Sequence, residues 1–110
     1  MKTLTGLALV CVCLAADDSF ITQYEYGEML YKNPRGIGCD RCHGRHGEGA
    51  VIARYKEDGK PVELKGPDIR HLSIAALRES LEKRHRVMPT YFLTRSETEA
   101  LHYFLTHKPE

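Results

Sequence analysis

Five consecutive residues carry the most specific chemistry in this chain: Cys39-Asp40-Arg41-Cys42-His43. Two thiols three positions apart, on a turn entering a helix, can add to the two vinyl groups of one porphyrin. The adjacent His43 then lies beneath the iron and supplies an imidazole nitrogen. Cys-X-X-Cys-His is for that reason the attachment signature of c-type haem. Two other chemistries also use paired cysteines. A dithiol redox couple wants a βαβ setting, whereas the surrounding pattern here is helical. Zinc wants a second ligand pair at ligand spacing, and His43 and His46 with both thiols would crowd four donors into eight residues.

The rest of the chain bears on which chemistry those residues serve. Its 110 residues bound it to one small domain. With 16 Lys+Arg against 15 Asp+Glu, it lacks the general basic surface of a nucleic-acid binder. No apolar run reaches the roughly 20 residues of a membrane-spanning helix. Met1-Lys2 reads as a basic start, Leu4 to Cys13 as an apolar stretch, and Cys13-Leu14-Ala15 as small residues placed for cleavage. This is the pattern of a secretory signal, cut after Ala15 or Ala16; an uncleaved anchor or a lipoprotein signal fits less well. Residues 16–110 would then form the mature domain, with Cys39 and Cys42 as its thiols and a net charge of zero. Such a short domain has a limited core and needs a staple. A disulfide between residues three apart closes too small a loop to add much. Covalent haem would serve, and export agrees with it, because bacteria attach haem outside the cytoplasm.

Three helices are expected to position the motif. Thr22 to Glu25 reads as a capping box opening a helix that runs to Lys32, where Asn33-Pro34 stops it. Ser73 caps a second helix to about Arg86, with Ile74, Leu77 and Leu81 as one buried stripe. A third starts at Thr94 or Ser96 and turns Ala100, Leu101, Phe104 and Leu105 inward. Between the first two, Val51–Tyr55 and Val62–Leu64 flank the hairpin signal Asp58-Gly59. Pro61 makes the second arm an edge strand at best. The expected fold class is all-α: three main helices around a covalently bound haem, with a short β-hairpin inserted near residues 51–64.

These features together resemble the small monohaem class I bacterial cytochromes c, over nearly the whole mature chain. Gly27 and Tyr31 resemble the family's Gly and aromatic pair, which packs on an aromatic of the last helix, matched here by Phe104. Cys39, Cys42 and His43 match its haem motif. Gly66-Pro67 resembles the family's Gly-Pro, and the resemblance implies that the Pro67 carbonyl accepts a hydrogen bond from the proximal imidazole. Val87-Met88-Pro89 resembles the loop that carries the distal ligand. The stretch from Glu48 to Leu64 is longer than in minimal members.

The candidates for a sixth iron ligand are Met29, Met88, His46, His71, His85, His102 and His107. Met88 leads: in a Pro-fixed break between helices a thioether can turn inward. His85 is its main rival, and Met29 reads as a core filler. Tyr91 and Phe92 read as haem-packing residues. Arg70 could pair with a propionate or simply lie on the surface. Lys83-Arg84-His85-Arg86 reads as a solvated helix end or as charge that steers an acidic partner. No nucleophile triad, phosphate loop or carboxylate pair stands out, so no enzyme is expected. The expected function is a monomeric, periplasmic one-electron carrier with His43/Met88 ligation. Its partners would be redox proteins, a quinol-oxidising complex and a terminal oxidase or peroxidase, with no nucleic acid or membrane span involved. The alternatives are a haem-based gas sensor with a labile sixth site, or a small haem subunit of a respiratory complex.

Overall fold

The three longer helices form where a capping side chain precedes an apolar stripe. The computed structural model describes residue 6 and residues 21–109; the expected signal segment and cleavage sites, with Cys11 and Cys13, lie outside the described residues. Thr22 caps α1 (Gln23–Lys32), its hydroxyl accepting the Glu25 N–H at 3.0 Å. The Glu25 carboxylate bonds the Thr22 hydroxyl rather than its backbone N–H, so the expected reciprocal box is only half made. Thr94 caps α4 (Arg95–Thr106) with a complete box: Glu97 N–H to Thr94 Oγ1 at 3.2 Å, and Thr94 N–H to Glu97 Oε1 at 2.8 Å. Ser73 caps α3 (Ile74–Glu82), and a single turn, α2 (Asp40–His43), carries the cysteine motif.

The α1–α4 pair is the frame. Gly27 faces α4 so closely that a Cβ there would collide with the Ala100 carbonyl and come within 2.7 Å of Phe104 Cβ. The absent side chain lets Tyr24 and Tyr31 close over Phe104, each ring centroid 5.0 Å from it. Such tilted pairs contribute about 0.5–1.5 kcal/mol each beyond area burial. Leu77 and Leu81 of α3 complete the core with Leu101 and Leu105.

The all-α expectation is corrected by a two-stranded antiparallel sheet, β1 (Ala50–Glu57) and β2 (Lys60–Gly66). With four helices beside it, the fold is mixed α/β. The sheet outgrows a loop decoration for physical reasons. Val51, Ile52, Tyr55 and Val62 favour strand. Asp58 and Gly59 both take positive φ, 52° and 79°, giving a primed two-residue turn whose twist matches the strands. Pro61 is tolerated because a two-stranded sheet has only edges.

Two other expectations change. The second helix stops at Glu82, not Arg86, because its last carbonyls find other partners. Lys83 N–H makes the last helical bond, to Glu79 O at 2.9 Å; the next two carbonyls are taken from outside, His85 Nε2 bonding Ser80 O at 2.7 Å and Tyr91 N–H bonding Leu81 O at 2.9 Å. The basic run from Lys83 to Arg86 therefore lies in the loop after the helix rather than in its last turn. Met29 is 57% exposed and not core. At 100° per residue it sits opposite the face of Tyr24, Gly27 and Tyr31.

Candidate haem site

Backbone contacts hold the cysteine motif from both sides. Cys39 N–H bonds Tyr31 O at the end of α1, at 2.8 Å, and the Tyr31 hydroxyl reaches over to the Gly44 carbonyl. On the other side the root of the hairpin presses on the motif. A Cβ on Gly66 would fall on the Cys42 carbonyl, so only glycine allows this approach. The next residue then brings its carbonyl to the ring of His43: His43 Nδ1 lies 2.9 Å from Pro67 O. A carbonyl only accepts, so Nδ1 carries a proton, and in the neutral ring the free lone pair is on Nε2. That tautomer is the one a metal-binding imidazole needs.

Cys39, Cys42, His43, Pro67 and Met88 all line one cavity of about 450 Å³. This volume is in the range of small-molecule and cofactor sites. Tyr31, Leu77, Leu81, Leu101 and Leu105 form much of its interior, so the surface is largely apolar. Both thiols are free, Cys39 being buried and Cys42 half-buried. Burial pushes the Cys39 thiol up to about 12. A dithiol redox couple needs the opposite, a site that favours the thiolate. Among the described residues, no three His, Cys, Asp or Glu side chains gather as a zinc site requires. What the cavity offers is two thiols, one oriented imidazole and one thioether in an apolar slot, which fits a covalently held haem.

The sequence candidates for the distal position separate cleanly. Met88 is half-buried, packs on the core and lines the cavity. His85 also lines it, although its Nε2 is engaged by Ser80 O. The others do not line it. His102 Nε2 lies 2.8 Å from Leu72 O, His107 stacks on Tyr103 at 3.8 Å, His46 sits over Phe104, and His71 is exposed. Tyr91 faces the cavity, its hydroxyl donating to Ile37 O at 2.6 Å, and burial pushes it up to about 12. Phe92 is 84% exposed, which corrects its assignment as a packing residue. In an extended segment consecutive side chains point to opposite sides, so the one that follows the inward Tyr91 faces out. Arg70 is taken up by Asp68, with Nη2 to Oδ2 at 2.7 Å.

Sequence reasoning missed two features of the site. Arg35 ties the lead-in of the motif to the distal loop and to α4, donating to Phe92 O at 2.9 Å and to both Glu97 oxygens at 2.7 Å. That clamp, with the Thr94 N–H, draws the Glu97 carboxyl down to about 2. Ile52 and Leu64, from the two strands, border the cavity. The half-buried positions Val62 and Leu64, before buried Gly66, alternate with exposed ones, a signal that was readable.

Comparison of the chain with family models, curated proteins and solved structures finds no match. Among the described residues, no helix is long and apolar enough to cross a membrane.

Proposed function

We propose that this chain is an exported c-type haem protein that carries single electrons between redox proteins of the periplasm. The observation that supports this most is the convergence on one apolar cavity of Cys39, Cys42, the Nδ1-anchored His43 and Met88. When bound, haem supplies a one-electron Fe(III)/Fe(II) couple. Cys39 and Cys42 would hold it through two thioethers, and His43 Nε2 would supply the imidazole donor. Pro67 fixes the tautomer and tilt of that ring. Met88 would offer a soft, neutral thioether, a donor that raises the potential relative to harder ligands. The apolar lining of the cavity would keep water away from such a group. The partners on this reading are a quinol-oxidising complex on one side and a terminal oxidase or peroxidase on the other.

The test is the visible spectrum of the exported protein, oxidised and reduced. A sharp reduced-form band of low-spin haem, with the weak long-wavelength band of Met–Fe(III) in the oxidised form, is the expected result. A high-spin spectrum with rapid CO uptake by the ferrous protein would replace the carrier with a ligand-binding protein.

A further inference from the structure

Only the root of the hairpin touches the cavity. Pairing runs from Ala50↔Gly66 and Val51↔Lys65, then jumps to Ala53↔Leu64, leaving a bulge at Ile52. Bulges re-aim a side chain and bend the strand locally. Here Ile52 and Leu64 both line the cavity, one from each strand. Beyond them the sheet leaves the protein: Tyr55↔Val62 and the pairs toward the turn do not border the cavity. Gly66 pins the root against the Cys42 carbonyl, so this wall is registered to the haem-attachment motif itself. Lys65 also borders the cavity, with its charge offset by Glu63 at 3.5 Å.

We propose that Ile52 and Leu64 form an apolar wall that keeps water from the haem and thereby holds its reduction potential up. This rests on the haem reading above. The ferric form carries one more positive charge than the ferrous form. A wall of low polarity disfavours that charge, and water or a hydroxyl at the same place favours it; burial is one of the levers on haem potential. Ile52 and Leu64 are positioning residues in this account, because neither holds the iron.

The experiment is the reduction potential of the purified holoprotein as wild type, Ile52→Thr, Leu64→Asn, Leu64→Ile and Val62→Thr, each with its oxidised spectrum. Ile52→Thr and Leu64→Asn should lower the reduction equilibrium constant about three- to tenfold, up to about 59 mV for one electron, while the Met–Fe(III) band stays. Leu64→Ile should keep the wild-type potential. Val62→Thr, farther out on β2, should do the same. Should Leu64→Asn fail to fold, Ile52→Thr still decides the matter, since it keeps the β-branched shape. Unchanged potentials in both wall variants, or an equal drop in Val62→Thr, would overturn the wall while leaving the haem reading intact. Wild-type protein that carries no haem would overturn both.

Discussion

The two faces of the cavity are built in different ways. On the face of the cysteine motif, position is set by backbone: Tyr31 O holds Cys39 N–H, Gly66 lies against Cys42 O, and Pro67 O holds the His43 ring. On the opposite face Met88 rides on a loop from Lys83 to Leu93 that is tied mainly near its ends. Those ties are His85 to Ser80 O, Tyr91 to Leu81 O and Ile37 O, and Arg35 to Phe92 O. A ligand fixed by backbone packing cannot leave without unfolding its surroundings, whereas one fixed by loop anchors can. On the haem reading, the imidazole side would be the permanent one and the thioether side the exchangeable one.

The largest effect should come from breaking the backbone-built face. Gly66→Ala drives a Cβ into the Cys42 carbonyl. Overpacking of this kind destabilises by about 1–3 kcal/mol, and here it also displaces Pro67 from His43. Holoprotein yield and melting temperature should both fall; a normal yield of coloured, fully stable protein would show that the hairpin root does not hold the motif. Next comes Met88→Ala. It should abolish the long-wavelength band, admit CO to the ferrous iron and lower the potential by on the order of 100 mV. Its melting temperature should fall less than that of Gly66→Ala, because the loop anchors remain.

Smaller effects should separate the anchors from the ligand. Tyr91→Phe removes the bond to Ile37 O and should cost about 1 kcal/mol. It should speed entry of an external ligand such as imidazole without changing the resting spectrum. The smallest effect is pH-dependent. Glu97 is drawn from its ordinary 4.5 down to about 2, mainly by Arg35 and then by the Thr94 N–H. A depressed carboxyl contributes stability that is complete above about 4.5 and is lost as the pH falls through about 2. Glu97→Gln should lower stability at neutral pH and flatten its decline between those values in acid unfolding curves. A variant with the wild-type slope would remove the Arg35–Glu97 clamp from the account.

Much of the site was readable because its signals are local. Five adjacent residues mark the segment that the structure sets at the cavity, Asp58-Gly59 announces a hairpin, and Thr22, Ser73 and Thr94 each stand where a helix begins. The misreadings concern relations that local patterns do not encode. The all-α expectation gave way because the length of a sheet is decided by cross-strand pairing, which here extends to Ala50↔Gly66. Phe92 and Met29 are apolar residues whose direction depends on which neighbour turns inward, Tyr91 in one case and Gly27 in the other. The second helix ends early because the side chain of His85 satisfies one of its last carbonyls from outside, a contact five residues from Ser80 that no helix propensity reports.

The most direct test of the central claim is the intact mass of the protein exported by a cell able to attach haem, taken together with its content of alkylatable thiol. The account predicts the chain from residue 16 or 17 to 110 plus one haem, with no free thiol, since Cys39 and Cys42 are both consumed. A folded chain at the haem-free mass, with both cysteines open to alkylation, would contradict it.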